Sequence, residues 1–299
     1  MGLADAGAAA GTIGAAGGGD MVDYGAGSRV APSLLPPVLT INAEGASPFV
    51  LVCDHASNRI PPAYGDLGLT PSQRLMHIAW DPGALAVARA LTDLLDAPLV
   101  HSTVSRLVID CNRRVDAPDL VPSLSERTQI RANAGIGADE RARRIAAYHA
   151  PFHDAIDALL TRRERAGRET ILVTVHSFTP VYQEVTRPWP IGLVHGTGSG
   201  FSRALSEALG DDEPALNVGW NEPYAALNGV TYTLERHGDG RGLRATMIEL
   251  RNDEILEPTG VTLWAARLAR CLVSARGALA RVPAGLPLSH GTVGQQGRD

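Results

Sequence analysis

Two histidines mark the part of this sequence that could do chemistry. His55 follows the apolar run Phe49-Val-Leu-Val-Cys53 by way of Asp54, and His176 closes a second run, Ile171-Leu-Val-Thr-Val175. Such runs read as strands buried on both faces, and in an open α/β sheet ligands gather just beyond the carboxyl ends of these strands. One histidine at a strand end usually does no more than hydrogen-bond the next loop. Two at matching positions favour a shared ion, because neighbouring parallel strands bring both imidazoles to one edge. Two imidazoles need a third ligand, usually a carboxylate, to hold a metal with a position left open for water. Asp81, in Ala79-Trp-Asp-Pro-Gly83, can supply it, or can equally cap the helix that Pro82 begins. Asp54 should face away from its neighbour His55, which suits a supporting role.

Glu249 sits in the apolar stretch Ala245-Thr-Met-Ile-Glu-Leu250. A buried carboxylate is costly and normally has a partner or a purpose. Beside a metal-bound water it would be a general base; otherwise it pairs with Arg251. Arg106, Asn112 and Arg113, in Ser105-Arg-Leu-Val-Ile-Asp-Cys-Asn-Arg113, offer guanidinium forks and an amide suited to a substrate carboxylate. The alternative is that these arginines pair with Asp110 or Asp116. His237, in a loop, is a candidate substrate contact. His77, four residues before Asp81, reads as a packing residue, and Gly196-Thr-Gly-Ser-Gly200 lacks the GK[ST] of a phosphate loop.

The elements that must position these residues alternate between strand and helix. A short edge strand is expected at Val38–Ile41, followed by the strand from Phe49. Helices are expected over Thr70–Ala79, Gly83–Leu95, Gly200–Leu209 and Thr259–Arg276, with an arginine-rich amphipathic helix over Asp139–Arg165 kinked at Pro151. Strands are expected at Pro98–His101, Val104–Asp110, Trp189–His195, Val230–Leu234 and Leu243–Leu250. Several strand-to-strand links are too short for a crossover helix, so the fold class is α/β with a central mixed sheet. The long segment from Asp116 to Gly137 is expected to be a functional lid or a substrate-contacting segment.

Composition sets the outer limits. With 299 residues, 44% of them hydrophobic, the chain can bury one large core. We expect a disordered Ala/Gly-rich leader over 1–30, one domain over 31–285 and a flexible tail over 286–299. A net charge of −5 gives no basic stripe for nucleic acid. All 27 cationic residues are arginine, which removes lysine nucleophiles and Schiff bases. Three scattered cysteines form no CxxC pair and fit a reducing cytoplasm, and no stretch reads as a membrane span.

Taken together, Cys53-Asp-His-Ala-Ser57, His77-Ile-Ala-Trp-Asp-Pro-Gly-Ala84, Ser105–Arg113, Val175-His-Ser-Phe-Thr-Pro180, Asn221-Glu-Pro-Tyr224 and Ile248-Glu-Leu-Arg-Asn-Asp253 resemble the N-formylglutamate amidohydrolase family. The resemblance runs from about Phe49 to about Cys271. It implies a three-layer sandwich similar to the zinc-dependent exopeptidases and hydrolysis of a small N-acyl amino acid. N-formyl-L-glutamate, giving glutamate and formate, is the leading substrate. His55, Asp81 and His176 would then hold zinc or another divalent ion, with Glu249 as base. Arg113 and Asn112 would anchor the substrate carboxylate, and Arg106 would help hold it or stabilise the oxyanion. Carboxypeptidase-like enzymes carry a glutamate three residues after the first histidine. Asn58 stands there, so the carboxylate ligand must come from elsewhere, by analogy Asp81. The alternatives are a carboxylate-binding protein without turnover, or a metallopeptidase or other acyl-amide hydrolase on the same fold.

Overall fold

A computed structural model describes residues 22–23, 29–30, 35–224 and 229–281. The chain divides into two units, 1–35 and 36–299. In the first, β1 (Val22–Asp23) and β2 (Arg29–Val30) pair antiparallel. The leader expected over 1–30 lies otherwise outside the described residues, as does the tail expected over 286–299.

The second unit runs β3 (Val38–Ile41), β4 (Phe49–Cys53), α1 (Pro71–Leu75), α2 (Ala84–Leu95) and β5 (Leu99–Ser102). The hairpin of β6 (Leu124–Ser125) and β7 (Thr128–Gln129) leads to α3 (Ala138–Arg144), α4 (Ala150–Arg165) and β8 (Ile171–Phe178). A second hairpin, β9 (Val181–Tyr182) and β10 (Val185–Thr186), precedes β11 (Ile191–Val194), α5 (Gly200–Asp212) and β12 (Val218–Trp220). Last come β13 (Arg244–Arg251) and α6 (Pro258–Arg281).

Seven strands form one mixed sheet in the order β12-β11-β13-β8-β4-β5-β3. The central four, β13, β8, β4 and β5, are mutually parallel, so their carboxyl ends share one edge. Every residue of β4 and β8 is buried, as their apolar runs require. Phe49, Leu51, Val173 and Val175 pack into one core with α2, α5 and α6, whereas Val50, Val52, Leu172 and Met247 join the core under α4. Burying each such aliphatic side chain contributes roughly 1.5–3 kcal/mol, and the two cores make three layers.

The structure departs from the sequence reading at four of the expected elements, and adds β12 and the two hairpins, which were not expected. Val104–Asp110 is a buried turn, with Val108 N–H donating to Ser105 O at 2.9 Å, because its polar side chains rather than a strand partner satisfy it. Val230–Leu234 enters a helical turn instead of a strand. The first helix stops at Leu75, where Met76 turns extended, short of Ala79. Between α3 and α4 a π-turn at Ile145–His149 takes up the irregularity immediately ahead of Pro151, so the helical path continues through the proline.

Candidate active site

His55 lies just past β4 and His176 within β8, and these strands are parallel neighbours. Their ring centroids are 5.1 Å apart. Both Nδ1 atoms turn toward one oxygen of Asp81: Oδ2 lies 3.3 Å from His55 Nδ1 and 2.9 Å from His176 Nδ1. Asp81 is brought there by its own loop. Its N–H donates to His55 O at 2.9 Å, and Ser177 Oγ donates to Pro82 O at 2.8 Å, tying the loop to both strands. The N-cap of α2 is Gly83, with no side-chain cap, so the capping alternative for Asp81 does not hold.

The far nitrogens of both rings meet carboxylates. His55 Nε2 donates to Asp110 Oδ1 at 2.7 Å, and His176 Nε2 lies 3.1 Å from Asp54 Oδ2. Thr233 Oγ1 donates to the other oxygen of Asp54. A proton held on each Nε2 leaves the lone pair of a neutral imidazole on Nδ1, facing Asp81. Two lone pairs and a carboxylate oxygen at these distances repel unless something positive sits among them. That something is either extra protons or a cation. The three ligand atoms lie within 4.8 Å of one another and all three residues are buried. This donor set fits a divalent ion, with His55, Asp81 and His176 as the residues that would hold it.

Without a metal, protons meet the demand. Burial by itself would raise the Asp81 carboxyl, but the charge of His55 and the hydrogen bonds of both imidazoles hold it far below the usual carboxylate range. Burial would likewise raise Asp110 and Asp54; Arg106 with His55, and His176, hold them down. Both imidazoles are raised above the ordinary histidine value: burial and Arg106 work against the charge on His55, and Asp110 and Asp81 outweigh them. For His176, the carboxylates of Asp54 and Asp81, which accept from its ring, outweigh burial.

Glu249 pairs in register with His176 across β13 and β8, and on its other side faces Gly192 of β11. Its Oε2 is buried without a hydrogen-bond partner, and burial pushes the carboxyl up to about 7. Arg251 does not pair with it; that guanidinium binds Asp253 and Glu254. Gly192 also leaves room for the following turn, since a Cβ there would lie 1.8 Å from Glu222 O. The same turn seats Tyr224 at the site.

These groups line a cleft of about 530 Å³ that also takes in Arg106, Asp110, Asn112, Arg113, Arg187 and Tyr224. Arg106 bonds Asp110 Oδ2 at 2.8 Å and lies 3.5 Å from Asp81 Oδ1, which realises the alternative of pairing with Asp110. Arg113 reaches Asp119 at 2.8 Å. The Asn112 side chain is committed elsewhere, donating to Val230 O at 2.6 Å and accepting from Thr233 N–H at 3.0 Å. His237 is not brought to the cleft. It is buried against His153, at 2.8 Å, and Asp157, at 3.2 Å, under α4. His77 does line the cleft and bonds Glu126 at 2.8 Å. The expected lid segment contributes Pro122, Leu124, Ser125 and Glu126.

Asp110 was visible in sequence only as an arginine partner, and its second role, orienting His55, depends on a turn that apolar patterning disguised as a strand. Tyr224 stood in the sequence only as the last residue of the motif Asn221-Glu-Pro-Tyr224, with no role attached, and Arg187 gave no usable signal, because an arginine after a polar hairpin is ordinary.

The model of the N-formylglutamate amidohydrolase family matches residues 47–256. No curated protein sequence matches. Among solved structures, gene product Atu2144 from Agrobacterium tumefaciens is 39% identical, with a TM-score of 0.80 over 82% of this chain and 96% of its own. N-formylglutamate amidohydrolase from Ralstonia eutropha is 21% identical, with a TM-score of 0.60 over 83% of this chain and 100% of its own, a likeness of fold. On the family match, the chain belongs to the N-formylglutamate amidohydrolase family, whose members hydrolyse an amide bond.

Proposed function

We propose that this protein is a divalent-metal-dependent amidohydrolase that releases the acyl group of a small N-acyl amino acid, with N-formyl-L-glutamate as the leading substrate. The observation that carries the reading is the convergence of both Nδ1 atoms and Asp81 Oδ2 beside a buried, unpartnered Glu249 carboxyl. The ion, zinc for this donor set, would supply Lewis acidity toward the acyl carbonyl and lower the pKa of water.

The chain's own groups do the rest. Glu249 takes the proton of the attacking water and returns it to the departing amine nitrogen, a task that suits a carboxyl raised to about 7. Asp110 and Asp54 hold the two imidazoles with Nδ1 facing inward. Arg106, fixed by Asp110 and Asp81, presents positive charge beside the reacting centre and stabilises the oxyanion. Arg113, whose partner Asp119 is itself more than half exposed, can exchange that ion pair for a substrate carboxylate at the cleft mouth. Asn112 acts through the segment it fixes, Val230–Thr233. Three buried cysteines without disulfides suit a reducing compartment such as the cytoplasm. Among the described residues no helix is long and apolar enough to cross a membrane.

Elemental analysis of purified protein together with a formate-release assay tests the reading. About one divalent ion per chain is expected, with both ion and activity lost in His176→Ala. Full turnover after exhaustive chelation, or in His176→Ala, overturns it.

A further inference from the structure

Arg187 lies between β10 and β11, on the wall of the cleft that also holds Tyr182 and Tyr224, and its side chain has a role still open. It is 7% exposed. Burying a guanidinium is costly unless an anion accompanies it. The other arginines of the cleft obey this rule: Arg106 has Asp110 and Asp81, and Arg113 has Asp119. Arg187 has no carboxylate partner among the described residues. Its hydrogen bonds are two long ones from a single nitrogen, Nη1, to Thr179 O at 3.4 Å and to the Tyr224 hydroxyl at 3.5 Å. A guanidinium has five N–H donors, so most of its capacity is unspent.

What surrounds it is aromatic. The guanidinium carbon lies 4.6 Å from the centroid of Tyr182, 5.1 Å from Tyr224 and 5.7 Å from Phe178. Ring faces partly offset the lost hydration and fix the plane of the fork without consuming its N–H groups. A buried, oriented, unspent fork in a cleft is built for a planar anion that arrives with the ligand. A carboxylate meets two parallel N–H groups in one plane. The cleft is otherwise crowded with Asp81, Asp110, Asp119, Glu126 and Glu249, which disfavours a more highly charged group such as a phosphate.

We propose that Arg187 is the specificity-determining residue that anchors a carboxylate of the amino-acid part of the substrate, in a pocket walled by Tyr182, Tyr224 and Phe178. This rests on the amidohydrolase reading for the identity of the substrate, but the anchor stands on its own geometry. The Tyr224 hydroxyl, which accepts from Arg187, lines the same cleft as Glu249 and Arg106.

The test compares the metal-loaded wild-type enzyme with Arg187→Met on three substrates: N-formyl-L-glutamate, its α-amide and its side-chain amide. Loss of a buried charge-assisted pair should raise KM for N-formyl-L-glutamate about 100-fold with kcat little changed, the mark of lost uniform binding. For the monoamide that lacks the anchored carboxylate, wild type and variant should converge, and which monoamide this is tells the α-carboxylate from the side-chain one. An equal loss on all three substrates, or a fall in kcat at constant KM, overturns the proposal. Should Arg187→Met not fold, Arg187→Lys keeps the charge without the fork and should raise KM by roughly 10-fold, again on the same two substrates only. If wild type hydrolyses none of them, the amidohydrolase reading fails. Calorimetric titration with L-glutamate then decides the anchor separately, weaker binding by the variant supporting it and equal binding overturning it.

Discussion

In the proposed mechanism Glu249 carries the heaviest demand of any single residue in the cleft. A general base has to be ionised, and burial pushes this carboxyl up to about 7. The sign follows directly: activity should be present above that region and fall as the pH drops through it, while a bound cation pulls the limb toward lower pH. Replacing Glu249 by Gln keeps shape and removes the titrating group. We expect kcat to fall roughly 100- to 10,000-fold with the metal retained, and the acidic limb to vanish from the residual activity. A pH profile of kcat/KM for the two proteins checks this; an unchanged limb would assign it to another group. Glu249 was legible in sequence because a carboxylate inside an apolar strand is conspicuous. His237 illustrates the reverse. A histidine in an apparent loop reads as available, yet here it is spent on His153 and Asp157, a packing decision made by α4 that no local pattern announces.

At the scale of elements, the site depends on strand ends and on how one loop is forced to approach them. Parallel β4 and β8 could be read from their continuous apolar runs, because only strands buried on both faces look like that. The Asp81 loop could not, since its course is set by contacts distant in sequence. Gly83 has φ +83° at the start of α2, and a Cβ there would lie 2.5 Å from Ile255 O. Gly83→Ala must therefore strain the backbone and displace either the loop or the segment after β13. We expect a loss of about 1–3 kcal/mol of stability. Metal affinity should fall as well, although no ligand has been touched, because Asp81 sits two residues away. Chemical denaturation and metal titration on this variant separate the two effects, and unchanged metal affinity would mean that the loop is not what positions Asp81. The segments Val104–Asp110 and Val230–Leu234 misled for a related reason. Their branched residues suit strands, but Asp110, Asn112 and Thr233 hold them to each other and to Asp54 through side chains, which suits turns better than a ladder.

For the whole molecule, the cluster of Asp54, Asp81 and Asp110 around two imidazoles makes stability, metal and pH one linked problem. In the metal-free protein both imidazoles are raised above the ordinary histidine value. A raised group contributes stability that is complete below its unfolded pKa, about 6.5, and is lost as the pH rises through the folded value. The three aspartates are depressed, so their contribution is present above about 4 and disappears on acidification through their folded values. The metal-free protein should thus be most stable between these limits and weaken toward alkaline pH. The proposed metal binding would run the other way, because an ion held by both Nδ1 atoms needs them deprotonated and releases their protons. Its apparent affinity should climb by up to tenfold per pH unit for each proton released. The difference in Tm between metal-loaded and metal-free protein should therefore widen steadily from about pH 6 to pH 8. Thermal unfolding across that range, at fixed total metal and after chelation, measures it. A gap that stays constant or narrows would mean that the two imidazoles do not exchange protons for the ion, and that the cluster holds the fold together without it.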